Sequence, residues 1–148
     1  MVRALGLDLG DRRIGVALSD AGGVLATPYE TVNRMGDRPR EHRRLAELVA
    51  ETEAEVVVVG LPRSLDGSDG PAARKVRREV EALRAALAIP VETYDERFTT
   101  VTADRSLRAM EVRGARRRQV VDQVAAAVLL QAWLDGRPRP EPPQEHAP

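Results

Sequence analysis

The chain has 148 residues, enough for one domain with a genuine core, and its 23 basic and 23 acidic side chains cancel to no net charge. No global basic field announces a nucleic-acid partner, although a local patch would serve that purpose. Cysteine is absent and the histidines are only His42 and His146, which excludes disulfides, thiolate metal sites and a histidine-built zinc centre.

Any metal in this chain has to sit on carboxylates, a donor set that favours Mg²⁺ or Mn²⁺. Lys75 is the single lysine among abundant arginines, so individual arginines carry little information. The start lacks a charged segment followed by an apolar one, and no apolar run is long enough to span a bilayer. A soluble, cytoplasmic chain with no membrane partner is expected.

Arg3 to Asp20 reads as two strands joined by a tight turn. Leu5, Leu7 and Leu9 alternate with Ala4, Gly6 and Asp8; Gly10 and Asp11 supply the turn; Ile14, Val16 and Leu18 begin the second run. Asp8 is the oddity, a carboxylate in an apolar strand with only Gly6 and Gly10 beside it on its face. It reads either as a turn-proximal cap of local amides or as a functional acid, with the glycines leaving room for a ligand. Val24 to Thr31 is a third strand, and turns this short make the three an antiparallel meander.

Asn33 to Arg40 is a polar loop, and Glu41 to Thr52 places Leu45, Leu48 and Val49 at helical spacing. Glu55 to Gly60 is a continuous apolar run, as in a central strand covered on both faces. The Gly/Pro/Ser/Asp-rich loop from Leu61 to Pro71 is longer than a connection requires. Ala72 to Ala88 is an amphipathic helix with Val76, Val80, Leu83 and Leu87 inward, and Pro90 to Asp95 a short strand. Thr99 or Thr100 caps a helix to about Met110, a basic loop runs from Val112 to Arg118, and a mostly apolar helix spans Gln119 to Leu134. The Pro-rich residues 136–148 read as a disordered tail outside a single domain of residues 1–135. The expected fold is α/β: a mixed sheet of a three-strand meander plus two parallel strands, with helices on both faces.

Three acids sit where acids are awkward. Asp8 is the first. Glu96 ends the last strand, at the edge where α/β sheets place ligand sites, or is a solvated acid paired with Arg97. Asp122 shares a helix face with Ala126, Leu129 and Trp133, the face sent inward, unless it simply answers the helix dipole from the first turn. Brought to one point, three carboxylates would repel and raise each other's pKa. Divalent cations remove that repulsion and suit phosphoryl transfer, which points to a two-metal site. Arg12, Arg13, Arg97 and the run Arg116, Arg117, Arg118 fall in loops beside the acids and are candidates to hold phosphates; the run also reads as a solvated loop.

Asp8-Leu-Gly followed by Arg13-Ile-Gly-Val-Ala, Gly60-Leu-Pro with Asp66-Gly, Asp95-Glu-Arg with Thr99-Thr100, and Arg118-xxx-Asp122-xx-Ala-Ala together resemble the YqgF (RuvX) family. The resemblance covers Val2 to about Leu134. It implies a ribonuclease H-like fold and membership among proteins described as Holliday junction resolvases and as nucleases maturing the 5′ end of pre-16S rRNA. It also implies an acidic triad of Asp8, Glu96 and Asp122. Ser64 stands where the family often has Asn, which touches loop contacts with substrate and not the acids.

The leading expectation is a metal-dependent nuclease acting on structured RNA, pre-16S rRNA above all. The same chemistry would serve a resolvase of four-way DNA junctions, and symmetric junction cleavage would require a homodimer with two sites. A ribosome-assembly RNA-binding factor that does not use its acids is the alternative from another class. An actin-like or sugar-kinase ATPase also begins with Asp-x-Gly, but binds nucleotide between two copies of such a fold, and this chain has room for one.

Overall fold

The strand around which the sheet is built is β1 (Ala4–Leu9), which pairs antiparallel with β2 (Arg13–Ser19) and parallel with β4 (Val56–Leu61). The computed structural model describes residues 3–99 and 115–137. β3 (Ala26–Asn33) lies antiparallel outside β2, and β5 (Val91–Asp95) lies parallel outside β4, giving the order β3-β2-β1-β4-β5. The expected meander plus two parallel strands is what forms.

Period-two alternation along β1 separates two cores. Leu5, Leu7, Ile14, Val57 and Val59 face helices α1 (Arg38–Thr52) and α2 (Pro71–Ala86), meeting Leu45, Leu48, Val80 and Leu83. Ala4, Ala17, Val56 and Val58 face α3 (Ala115–Asp135), meeting Ala126, Leu130 and Trp133. Small side chains on this second face let α3 come very close. A Cβ on Gly6 would stand 2.8 Å from Leu130 Cβ. Gly6 therefore makes room for the helix, not for a ligand as the open-face expectation had it.

Several boundaries differ from the sequence expectation for local reasons. Asp20 Oδ1 accepts from the amides of Val24 (2.8 Å) and Leu25 (3.2 Å), which wraps a turn and delays β3 to Ala26. Helix α1 starts three residues early because Asp37 caps it, accepting from Arg40 N at 3.2 Å, and Pro39 is tolerated in a first turn. Helix α3 begins at Ala115, so Arg116, Arg117 and Arg118 are helical and not in a loop. The helix expected from Thr99 or Thr100 to Met110, and the Pro-rich residues from 138 on, lie outside the described residues. Among the described residues, no helix is long and apolar enough to cross a membrane.

Candidate active site

At the carboxyl end of β1, Asp8 lies on the face of the sheet covered by α3. Asp8 pairs with Gly15 of β2 in the strand register. On its other side, the step beyond the last β1–β4 pair, Leu7 with Val59, brings Asp8 level with Gly60. Each glycine is overlaid by another acid. A Cβ on Gly15 would fall on the main chain of Asp122, and its nearest side-chain atom is Asp122 Cβ at 3.2 Å. A Cβ on Gly60 would stand 2.6 Å from Glu96 Oε1 and 2.9 Å from Leu129 Cδ2. The tertiary structure thus places the Asp122 main chain over β2, Asp8 in β1 and the Glu96 carboxylate over β4, at one level of the sheet. Asp8 and Glu96 are buried, at 4% and 7% exposure.

Helix α3 starts two turns before Asp122, so the carboxylate is not a first-turn group answering the dipole, whose influence fades within that turn. It answers Arg13 instead. Arg13 Nε donates to Asp122 Oδ2 at 2.8 Å, and the two side chains are only 21% and 16% exposed. Among the described residues, no group of three acids or other metal-ligating side chains is close enough to share one ion. The Asp122 carboxylate is instead engaged by Arg13.

The other arginines also have specific places. Arg12 is exposed in the β1–β2 turn. Arg97, in the 3₁₀ turn Glu96–Phe98, donates through Nε and Nη2 to Asp95, the latter at 2.7 Å. Its Nη1 reaches Leu65 O at 3.4 Å in the loop between β4 and α2. Arg63 from that loop meets Asp95 Oδ2 at 3.4 Å and Asp69 Oδ1 at 3.1 Å, and also donates to Gly67 O. The hydrogen bonds from Arg97, then its charge and that of Arg63, hold the Asp95 carboxyl below its ordinary pKa against the opposing effect of burial. Arg97 is thereby a clasp on the loop. Glu96 is accordingly not the acid that pairs with Arg97; Asp95 is. The side chains of Arg116, Arg117 and Arg118 lie outside the described residues.

A family model named RuvX, described as Holliday junction resolvase, matches residues 2–136. The chain belongs to the RuvX family. A "Putative pre-16S rRNA nuclease" of Streptomyces coelicolor is 54% identical over 142 residues, covering 92% of this chain and 84% of that protein. A protein of the same name from Mycobacterium tuberculosis is 53% identical over 137 residues, covering 91% and 79%. Among solved structures, Thermus thermophilus RuvC in complex with Holliday junction substrate superposes with a TM-score of 0.58, covering 90% of this chain and 94% of that one at 18% identity. This likeness bears on the fold, which is the ribonuclease H-like one implied by the sequence resemblance to RuvX.

In this RuvX-family chain, Gly15 and Gly60 lie beside the candidate acids and are singled out in the sequence only as parts of motifs. Their signal is present in the sequence, since a glycine within or at the end of an apolar strand marks a close approach. What approaches is legible only in three dimensions. A cleft of about 490 Å³ opens on the opposite face, lined by Leu9, Arg34, Arg38, Glu41, Lys75 and Glu79. Its cations are compensated locally: Arg34 by Glu41 and Glu79, Lys75 by Asp11 at 2.7 Å.

Proposed function

We propose that the chain is a metal-dependent nuclease that hydrolyses phosphodiester bonds in structured nucleic acid, and that its substrate is the 5′ end of pre-16S rRNA. The observation that carries this reading is the row in which Asp8 stands between Gly15 and Gly60, the one overlaid by the Asp122 main chain and the other by the Glu96 carboxylate. Names of relatives sharing about half their residues with this chain support the substrate.

The donor set fits a hard divalent cation, being all carboxylate oxygen. Asp8 and Glu96 are the residues that would hold it, with Asp122 completing the set. Such a cation, when bound, activates water and neutralises charge on the leaving oxygen. Burial of Asp8 and Glu96 keeps them from bulk water and strengthens their grip on a cation. Arg12 and the run at Arg116, Arg117 and Arg118 are the basic groups assigned to phosphate contact, and Arg97 holds the loop.

Cleavage assays on a pre-16S rRNA fragment and on a synthetic four-way DNA junction test site and substrate together. Asp8→Asn and Glu96→Gln should each abolish cutting of the RNA while leaving circular dichroism unchanged. Wild-type cleavage should need Mg²⁺ or Mn²⁺. Undiminished cutting in excess EDTA would sink the metal-dependent reading, and junction cleavage outpacing RNA cleavage would move the substrate to DNA.

A further inference from the structure

Arg13 stands out because it is a cation already seated on one of the three candidate acids. Its main chain is fixed by the β1–β2 turn, where Gly10 N donates to Arg13 O at 3.0 Å, and by its register opposite Asn33 of β3. Only Nε of its guanidinium engages Asp122, at 2.8 Å. The two Nη groups have no protein partner among the described residues, so four N–H donors remain for another anion. Both side chains are mostly withdrawn from solvent, where screening of the pair is incomplete.

From this we infer that Arg13 is a displaceable stand-in for the metal at Asp122, a positioning residue that couples cation loading to capture of a phosphate. The inference rests on the nuclease reading above. The guanidinium that holds the Asp122 carboxylate repels a divalent cation at the row, so the two cations compete. Release of Asp122 by Arg13 frees both carboxylate oxygens to complete the set. A phosphodiester at the row offers Arg13 a replacement anion, through the bidentate Nη edge suited to phosphate. Cation and nucleic acid then each favour the other's binding, and the coupling is reciprocal. Without substrate, the pair leaves the site only partly able to hold metal.

Mn²⁺ titration calorimetry without nucleic acid reads the first half of this. Arg13→Gln should bind Mn²⁺ roughly 1.5- to fivefold more tightly than wild type, the range expected for removing one partly screened ion pair. Arg13→Lys, which keeps a cation there, should fall back toward wild type. Arg12→Gln removes an equal charge nearby without touching Asp122 and should change Mn²⁺ affinity much less. If Arg12→Gln tightens binding as much as Arg13→Gln, the effect is general charge and the inference fails. Anisotropy of a labelled RNA hairpin, with Ca²⁺ as a cation of poor turnover, reads the second half. Ca²⁺ should tighten the hairpin's binding to wild type by a larger factor than to Arg13→Gln, and equal factors would overturn the coupling. Loss of Mn²⁺ binding in Asp8→Asn, with no effect of Arg13→Gln, would spare the nuclease reading and remove the role of Arg13. Absence of Mn²⁺ binding in every variant would remove both.

Discussion

Gly15 and Gly60 look alike in the sequence, yet alanine at each should fail in a different way. At Gly15 the added methyl would fall on the carbonyl of Asp122, main chain within helix α3, so the helix as a whole has to move. Gly15→Ala should therefore cost stability, about 2–3 kcal/mol or more, as overpacking of a tight interface does. At Gly60 the methyl meets Glu96 Oε1 and Leu129 Cδ2, both ends of flexible side chains. Gly60→Ala should fold with a loss of about 1 kcal/mol or less and displace the Glu96 carboxylate. Its expected signature is a Tm close to wild type with a much reduced rise on adding Mn²⁺. Thermal melts of both variants with and without Mn²⁺ check the contrast; equal destabilisation of the two would count against the row. Neutralising Asp122 does not simply relieve repulsion among the acids, since Asp122 has an ion pair with Arg13 to lose.

Among the elements, the loop between β4 and α2 is held by charge more than by packing. Leu65 at its tip is 96% exposed, while Arg63 and Arg97 tie its backbone to Asp95 at the end of β5. The Asp95 carboxyl lies below its ordinary value of 3.8, mainly through the Arg97 hydrogen bonds. A carboxyl depressed in the folded state adds stability that is complete above its unfolded pKa and is lost as pH falls through its folded one. The clasp should thus hold at neutral pH and begin to loosen below about pH 4. Asp95→Asn should make this loop an early site of proteolysis at pH 7, and flatten the fall of Tm between about pH 4 and pH 2 relative to wild type. Limited proteolysis and pH-dependent melts are the measurements, and a loop equally protected in Asp95→Asn would show that the clasp is idle.

On the far face of the sheet, one buried polar cluster joins three parts of the molecule. Arg34, from the segment after β3, donates to Glu41 of α1 at 3.2 Å and to both oxygens of Glu79 of α2, at 2.9 and 3.0 Å. His42 Nε2 lies 3.2 Å from the same Glu79 carboxylate. Burial by itself pushes the Glu79 carboxyl up, but the Arg34 bonds and charge, with His42, bring it net below its ordinary value. Removing that charge leaves a mostly buried guanidinium half-compensated. Glu79→Gln should cost about 3 kcal/mol, toward the low end for breaking a buried pair because Glu41 remains. For a chain of this size that is a fall in Tm of roughly 6–12 °C. Mn²⁺ binding and specific activity of the folded fraction should stay near wild type, because the cluster and the acid row lie on opposite faces of β1. Calorimetry of the variant alongside a cleavage assay at low temperature checks both.

By itself the sequence determined the order of the described strands and helices, the meander and which three acids stand at unusual positions, because these are written in local periodicity and residue type. Alternation in Ala4 to Leu9 places Asp8 on a definite face whatever packs there. The inward stripe of Ala126, Leu129 and Trp133 likewise puts Asp122 on the buried side of its helix. Tertiary structure decided what each acid meets. Arg97 pairs with Asp95 rather than Glu96, and Arg63 reaches the same carboxylate from the loop after β4, a contact with no local trace. Gly6 could receive a ligand or a helix, and only the closeness of α3 chose the helix. The Arg13–Asp122 pair joins residues 109 positions apart, and such a pairing is set by where the chain's two ends are packed together. Local pattern fixes which side of an element a residue occupies; its charge partner depends on long-range packing, which short-range periodicity does not encode.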